Sequence, residues 1–240
     1  MLIAKDITWI INNKTILKEV NLELKKGECV GLIGPNGSGK SSLLKILAFL
    51  EKPASGEIFF EGQKLPDQTP LEIRRKIAIV FQEPLLLNAN VFQNVAAGLK
   101  MRRLPKTQIR EIVEYWLECF GISHLIKQHA YSLSGGEAQR VSLARAFALN
   151  PEILFMDEPF SSLDAPTIEG LLNDLNKVFS STGITALIVS HNFRDIKRLT
   201  SRAVVMLNGE VKFSGSTMDI FSQSQSREVE TFLRQLALIS

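Results

Sequence analysis

The chain has 240 residues, 45% of them hydrophobic, which is enough to bury a substantial core. Lys and Arg number 28 against 25 Asp and Glu, and a formal net charge of +3 indicates neither a nucleic acid nor an anionic membrane as a partner. Only two cysteines occur, which argues against a disulfide framework. We expect no signal peptide, because a lysine and an aspartate interrupt the N-terminal stretch "MLIAKDITWIINNK", and no membrane helix, because no run reaches ~20 apolar residues.

The first sixty residues contain segments that alternate apolar and polar side chains, which predicts an antiparallel β lobe: "LIAKDITWI", "TILKEVNLEL" and "EIFFEGQKL". Elsewhere short, nearly continuous apolar runs are each followed by a loop and a helical pattern: "CVGLI", "IAIVF", "ILFM" and "TALIVS". Such runs are typical of strands that are buried on both faces of a parallel sheet. The sequence therefore predicts an α/β fold with a mainly parallel core sheet.

The stretch between Asn88 and Asn150 is helical in pattern, with apolar residues three and four positions apart and no strand-like run. It predicts a helical subdomain, residues 88–150, inserted into the α/β core. After Ser201, "AVVMLNGEVKFSG" contains an Asn-Gly hairpin turn, and a short helical tail follows. Since no linker separates these parts, we expect residues 1–240 to form a single domain.

A glycine-rich loop follows the strand "CVGLI" and opens the helix "SSLLKILAFL". It matches the pattern G-x-x-x-x-G-K-[ST] in the required context of strand, loop and helix. Backbone N–H groups of such a loop surround a polyphosphate, Lys40 reaches the outer phosphates, and Ser41 can ligate Mg²⁺. The sequence therefore predicts a site for a nucleoside triphosphate and Mg²⁺ that includes Gly34, Pro35, Asn36, Gly37, Ser38, Gly39, Lys40, Ser41 and Ser42.

Two carboxylates end the apolar strand in "ILFMDEP", where ligands bind in open α/β sheets. We expect Asp157 to hold Mg²⁺ through its hydration shell and Glu158 to polarise the attacking water. Taken alone, the motif is better explained by a plain transition from strand to turn. The phosphate loop favours the catalytic interpretation.

A second glycine pair, Gly135 and Gly136, stands at another helix start in "YSLSGGEAQRVSLARAFALN". Ser134 and Glu137 have the spacing of a capping box, so one interpretation is a well-capped helix. A serine and free backbone N–H groups at a helix N-terminus also form a phosphate-binding surface.

Over essentially its whole length the sequence resembles the nucleotide-binding subunits of ATP-binding cassette (ABC) transporters. The motifs stand in the family's order: the phosphate loop, Gln82 in "VFQEP", "LSGGE" at 133–137, "ILFMDEP" at 153–159, "SSLD" at 161–164 and His191 in "IVSHN". Each motif alone is weak, whereas the ordered set is specific. The resemblance implies the ABC ATPase variant of the P-loop NTPase fold.

The resemblance also implies roles for three further residues. Gln82 would coordinate Mg²⁺ or water and sense the γ-phosphate, unless it is simply a solvent-facing glutamine. His191 would contact the γ-phosphate and position Glu158, although a strand end also accommodates an ordinary histidine. Asp164 would communicate between subunits, and its alternative is a helix N-cap.

In this family two copies face each other head to tail, so ATP at Lys40 of one copy is covered by Ser134, Gly135 and Gly136 of the other. The resemblance therefore implies a homodimer that ATP closes and hydrolysis releases. Family members commonly stack adenine on an aromatic residue, at a position that is Ile11 here. Either Trp9 takes this role or adenine packs on aliphatic surface.

The resemblance favours the ATPase subunit of a bacterial or archaeal importer, peripheral on the cytoplasmic face of the cell membrane. A separate permease would grip the segment Pro84–Asn94, and an extracytoplasmic binding protein would deliver the cargo. "FQEPLLLNANVFQNVAAGLKMR" and the C-terminal region most resemble cassettes of tungstate and molybdate importers. Importers of polar amino acids or another small solute are the next alternative.

Two interpretations from other classes receive less support. A soluble ABC ATPase that acts on nucleic acid or ribosomes would carry a coiled coil or a second cassette, and no basic patch is evident. We therefore expect no nucleic-acid partner. A cassette that does not hydrolyse ATP would lack Lys40, Glu158 or His191, and all three are present.

Overall fold

The structure is a computed structural model that describes residues 1–223 and 226–239. The strands in chain order are β1 (Leu2–Ile11), β2 (Lys14–Leu24), β3 (Cys29–Ile33), β4 (Ser55–Phe60), β5 (Gln63–Lys64), β6 (Ile77–Val80), β7 (Ile153–Asp157), β8 (Thr185–Val189), β9 (Arg202–Leu207) and β10 (Glu210–Ser216). The α-helices are α1 (Lys40–Leu47), α2 (Leu71–Arg74), α3 (Val91–Met101), α4 (Lys106–Cys119), α5 (Gly135–Phe147), α6 (Ala165–Thr182), α7 (Phe193–Leu199), α8 (Ile220–Gln223) and α9 (Arg227–Ile239).

Two sheets form the framework. The smaller sheet has the strand order β2-β1-β4-β5 and is antiparallel throughout, as the alternation in the first sixty residues predicts. The larger sheet has the order β10-β9-β3-β8-β7-β6, in which only the edge strand β10 runs antiparallel. Parallel strands place their carboxyl ends at one edge, and the candidate site lies along that edge.

Strand β7 shows why the central strands have continuous apolar sequences. Its successive side chains enter opposite faces of the sheet. Ile153 and Phe155 join a core cluster shared with α1 and the antiparallel sheet, whereas Leu154 and Met156 join a cluster shared with α3, α4 and α5. Both faces are therefore buried, and no polar position interrupts the strand.

Helices α3, α4 and α5 fill the chain between β6 and β7, with two short 3₁₀ turns (Ser123–Leu125 and Ala130–Ser132) before α5. Stacked rings of Trp116 and Phe147, with centroids 5.0 Å apart, join α4 to α5. The fold class is thus confirmed, including the helical insertion. No helix in the described ranges is both long and apolar enough to cross a bilayer.

The Asn-Gly turn is also confirmed. Asn208 and Gly209 have φ angles of 51° and 84°, the left-handed values that a two-residue hairpin turn requires, and Leu207 pairs with Glu210. This turn lies against the phosphate loop, because the Gly209 N–H donates to the Ser38 carbonyl at 3.1 Å.

Candidate functional site

Four parallel strands bring the candidate residues to one edge of the larger sheet. Strand β3 leads into the phosphate loop, and β7 ends at Asp157. Gln82 follows β6 and His191 follows β8, the two strands that flank β7, so residues more than 100 positions apart in sequence lie at the same edge of the sheet. This convergence is what the parallel topology imposes.

The phosphate loop depends on its glycines for conformation and for space. Gly37 and Gly39 have φ angles of 79° and 101°, which side chains with a Cβ rarely adopt. At Gly34 a Cβ would lie 2.1 Å from the Met206 carbonyl oxygen, so no larger residue fits there. The loop backbone therefore packs closely on β9 while its N–H groups remain at the start of α1.

Lys40 is buried within the loop, with 5% of its surface exposed. Its ammonium group donates to the carbonyls of Gly34 at 2.9 Å and Pro35 at 3.0 Å. Burial lowers the pKa of Lys40, and the nearby carboxylates of Glu158 and Asp157 partly oppose that shift. An anion in the loop would further stabilise this cation.

Ser38 provides an independent sign of a polar ligand. Its hydroxyl is buried, with the residue 3% exposed, and finds no hydrogen-bond partner among the described residues. An unpaired buried hydroxyl costs about 1–3 kcal/mol. A phosphate oxygen in the loop would satisfy it, so the loop fits a polyphosphate chemically.

Ser41 and Asp157 form the candidate Mg²⁺ position. The Ser41 hydroxyl donates to Oδ1 of Asp157 at 2.9 Å. Burial raises the pKa of Asp157, and its hydrogen bond to Ser41 and the charge of Lys40 partly oppose the rise. Mg²⁺ prefers oxygen donors and is commonly held by one carboxylate together with substrate phosphates, so this pair fits the ion. Nowhere in the described ranges do three or more His, Cys, Asp or Glu side chains form a metal cage.

Glu158 and His191 form a pair beside the phosphate loop. Glu158 has a φ of 48°, the left-handed region, and its N–H donates to the Val189 carbonyl at 2.9 Å. Its Oε2 lies 2.5 Å from Nδ1 of His191. A non-glycine residue in this conformation costs about 1–3 kcal/mol, and such strain concentrates at functional sites. Ser161, whose hydroxyl donates to the Glu158 carbonyl at 3.2 Å, supports the same turn.

One cavity of about 900 Å³ joins these groups. Predicted site residues on its wall are Gly34, Pro35, Asn36, Gly37, Gly39, Lys40, Ser41, Ser42, Gln82, Glu158 and His191. Sequence reasoning missed the other lining residues: Lys14, Ile16, Ser161, Phe232, Gln235 and Leu236. The "SSLD" motif offered a signal for Ser161, whereas β2 and the C-terminal helix carry no comparable motif.

Trp9 and Ile11 lie apart from these lining residues. Trp9 is half buried on β1, opposite Leu17, and packs on the core cluster that includes α1. Ile11 is exposed at the end of the same strand. The described wall of the cavity contains neither residue and presents Ile16 of β2 instead.

The second glycine motif lies outside the cavity wall. Ser134 is the N-cap of α5 and forms the predicted capping box with Glu137. A Cβ at Gly136 would lie 2.5 Å from the Thr167 side chain, so α5 and α6 begin side by side. Asp164 is the N-cap of α6 and accepts the Thr167 N–H at 2.9 Å. Ser134, Gly135 and Asp164 are all exposed there.

The loop after Gln82 is held firmly although it exposes apolar side chains. Asn94 of α3 accepts the Leu87 N–H at 2.7 Å and donates to its carbonyl at 3.2 Å. Arg145 of α5 donates to the carbonyls of Leu85 at 2.9 Å and Pro84 at 2.7 Å. These hydrogen bonds fix the loop backbone, and the side chains of Leu85 and Leu87 remain 58% and 50% exposed.

Comparisons with known proteins agree with this geometry. The family model described as ABC transporter matches residues 17–161, over half of the chain. The chain is 42% identical over 218 residues to a molybdate/tungstate import ATP-binding protein of Thermococcus kodakarensis, covering 90% of this chain and 66% of that protein. It is 40% identical over 223 residues to a sulfate/thiosulfate import ATP-binding protein of Neisseria meningitidis, covering 90% of this chain and 62% of that protein. The chain thus spans less than two thirds of the length of these two relatives.

Solved structures give the same result for the fold. The structure of cbiO1 of Clostridium perfringens, part of the ABC transporter complex cbiONQ, superimposes with a TM-score of 0.85 at 29% identity, covering 99% of this chain and 97% of that chain. An ATP-binding cassette solved as a dimer in a post-hydrolysis state with ADP and Pi gives a TM-score of 0.82 at 31% identity, covering 90% of this chain and 99% of that chain. The chain belongs to the ABC transporter family.

Proposed function

We propose that this chain is the subunit of an ABC importer that binds and hydrolyses ATP and so drives transport through a separate membrane permease. The observation that carries the proposal is the convergence of three groups on one cavity: the buried cation Lys40, the Ser41–Asp157 oxygen pair and the Glu158–His191 pair. This set provides phosphate binding, a Mg²⁺ position and a base.

In this proposal the loop residues bind the triphosphate. Backbone N–H groups from Gly37 to Ser41 and the Lys40 ammonium group face the phosphates at the start of α1. Ser41 and Asp157, with Gln82, would hold Mg²⁺, which supplies charge neutralisation for the outer phosphates. Gln82 is exposed on the bend after β6, where it can respond to the occupant of the cavity.

Glu158 then acts as the base that polarises the attacking water. His191 holds the Glu158 carboxylate from one side, and the left-handed turn at Glu158 directs it towards the phosphate loop. Such positioning fixes the base before reaction and limits its reorganisation. His191 is itself 57% exposed at its side chain, so its ring is available to contact the γ-phosphate.

A second copy of the chain would complete the site. Ser134, Gly135 and Gly136 carry a capped helix N-terminus that does not line the chain's own cavity. Two copies arranged head to tail would bring each such N-terminus to the other's ATP, with the exposed Asp164 at the same contact. A structural relative solved as a dimer with ADP and Pi supports the pairing of two copies.

The permease would bind the segment Pro84–Asn94, and its exposed Leu85 and Leu87 form what we call the apolar loop surface. A rigid loop that exposes two leucines fits a hydrophobic partner helix. Asn94 and Arg145 hold this loop against α3 and α5, directly beyond Gln82, so movement of Gln82 would reach the permease. On this account the chain is peripheral at the cytoplasmic face of the membrane.

The cargo we favour is an oxyanion of the tungstate and molybdate kind. The 42% identity to a molybdate/tungstate import protein supports this choice. Sulfate, thiosulfate and methionine are the alternatives, because importer proteins for each show 36–40% identity. An extracytoplasmic binding protein would select the cargo, since no residue of a cytoplasmic subunit contacts it.

The test is an affinity pull-down of the tagged full chain from membranes of its native host in mild detergent. We expect a multispan permease to co-purify in stoichiometric amount, and anion analysis of its binding protein to reveal the cargo. The double variant Leu85→Asp, Leu87→Asp is expected to lose the permease but keep ATPase activity. Met218→Asp, on an equally exposed apolar residue outside this surface, is the control. Recovery of ribosomal or nucleic-acid-binding proteins alone would contradict the importer assignment.

A further inference from the structure

The nucleotide cavity has a wall that the phosphate-binding motifs do not supply. Beside the loop, it is lined by Lys14 and Ile16 of β2 and by Phe232, Gln235 and Leu236 of α9. Helix α9 is formed by the last described residues of the chain. Helix α9 therefore lies at the mouth of the candidate ATP site.

Helix α9 is fixed in this place by packing. Val229, Leu233 and Leu236 are buried in the core cluster that also contains α5 and α6. Phe232 is half buried and packs on the same cluster, while Gln235 is exposed to the cavity. These apolar contacts fix α9 on the core, and another side of the helix forms part of the cavity wall.

A hydrogen-bonded turn connects α9 to the phosphate loop. Asn208 donates its side-chain N–H to Oε1 of Glu228 at 2.9 Å. The next residue, Gly209, donates its N–H to the Ser38 carbonyl at 3.1 Å and accepts the Lys18 N–H at 2.9 Å. The β9–β10 turn therefore ties α9, β2 and the phosphate loop together.

The lining of the cavity contains both polar and apolar groups. The phosphate loop, Glu158 and His191 supply polar groups, and Ile16, Phe232 and Leu236 supply apolar surface. A nucleoside triphosphate likewise has a charged chain at one end and a flat aromatic base at the other. If the polar groups around Lys40 bind the phosphates, the apolar lining residues are left to contact the base.

We propose that α9 is a nucleotide-binding wall and that Phe232 is the residue on which the base of ATP stacks, with Ile16 on the facing side. This inference rests on the proposed ATP binding. It assigns the aromatic contact to the C-terminal helix, whereas Trp9 packs on the core and Ile11 offers no ring. Aromatic stacking on a base is tolerant of base identity, because every base has a π-face.

The test is isothermal titration of the full chain with Mg²⁺-ATP and, separately, with inorganic tripolyphosphate, which has no base. We expect Phe232→Ala to weaken ATP binding about tenfold and to leave tripolyphosphate binding within about twofold, since one stacked base is worth roughly that factor or more. Phe232→Leu keeps the apolar packing of α9 but removes the ring, so we expect a loss of several-fold that is again confined to ATP. Phe213→Ala is the matched control, because Phe213 is also half buried against the same core cluster but does not line the cavity.

Each outcome decides the question. Unchanged ATP affinity in both Phe232 variants would overturn the stacking assignment, and tighter ATP binding would show that α9 competes with the nucleotide. Loss of ATP affinity in Trp9→Ala, with Phe232→Ala normal, would transfer the role to Trp9. If the unmodified chain bound tripolyphosphate but gained nothing from the base of ATP, the inference would fail while the phosphate site stood. If it bound neither, the proposed function would fail as well.

Discussion

The Nδ1 atom of His191 lies 2.5 Å from Oε2 of Glu158, so the residue after β7 and the second residue after β8 meet beside the phosphate loop. The backbone supports the same contact, because Glu158 adopts a left-handed φ of 48° and donates its N–H to Val189 of β8 at 2.9 Å. Two neighbouring strands thus hold one carboxylate in place, which is the arrangement that a fixed general base requires.

His191→Ala should separate binding from hydrolysis. We expect ATP affinity to stay within about threefold of the unmodified chain, because Lys40 and the loop backbone are untouched. Hydrolysis should fall roughly 100-fold, since Glu158 loses the group that orients it. Single-turnover phosphate release measures the second effect and titration the first. His129→Ala, an exposed histidine in the helical insertion, should change neither.

Lys40→Ala should remove ATP binding. The ammonium group is buried at the centre of the loop, and a buried charged contact to phosphate is worth about 3 kcal/mol, or roughly 100-fold in affinity. Lys45→Ala is the control, because Lys45 is an exposed lysine on the same helix α1. Titration with Mg²⁺-ATP compares the two variants. Equal ATP affinity for Lys40→Ala and Lys45→Ala would contradict the assignment of the phosphate site.

The ion pair between Glu28 and Arg202 should contribute to stability in a defined pH range. Arg202 binds Glu28 through Nε at 2.7 Å and lowers the pKa of that carboxyl below its ordinary value of 4.5. At pH 7 Glu28 is ionised in both states, so the stabilisation is fully present above about pH 4.5. As the pH falls further, the unfolded chain takes up the proton first, and the stabilisation is lost until the lowered native pKa is passed.

Glu28→Gln should therefore lower the free energy of unfolding by about 1 kcal/mol at pH 7, because the pair lies at the start of β9, where water still reaches it. The difference between the variant and the unmodified chain should shrink as the pH falls below 4.5. Urea unfolding across this range measures both effects. Glu23→Gln is the matched control, since Arg202 contacts Glu23 only through its backbone carbonyl. A difference that grows towards low pH would refute the assignment.

Local patterns in the sequence predict well which candidate residues meet at the edge of the sheet. Strand β7 is apolar to Met156 and then changes to Asp157 and Glu158, so the end of the strand and its candidate site residues can be predicted from the seven residues of "ILFMDEP". The phosphate loop is equally local, since glycine conformation, helix start and Lys40 lie within eight residues. The Asn208–Gly209 turn follows from its residue types alone.

The remaining walls of the cavity depend on tertiary packing and have no local pattern. In the sequence, Ile16 is one apolar position among several in an alternating strand, and Phe232 is one position in an amphipathic helix. Only the contact of β2 with the Gly209 turn and the seating of α9 on the core place them beside Lys40. Likewise, the pairing of the α5 and α6 N-termini through Gly136 and Thr167 involves residues from different motifs.

The central claim is that ATP joins two copies of this chain and that Glu158 releases them by hydrolysis. Light scattering after gel filtration of Glu158→Gln tests it, because this variant should bind ATP and lose about 100-fold or more in hydrolysis. Adding Ser134→Arg should prevent dimer formation by placing bulk on the α5 N-terminus. The account predicts a dimer for Glu158→Gln with Mg²⁺-ATP, and a monomer both without nucleotide and in the double variant. A Glu158→Gln chain that binds ATP and remains monomeric at saturation would contradict it.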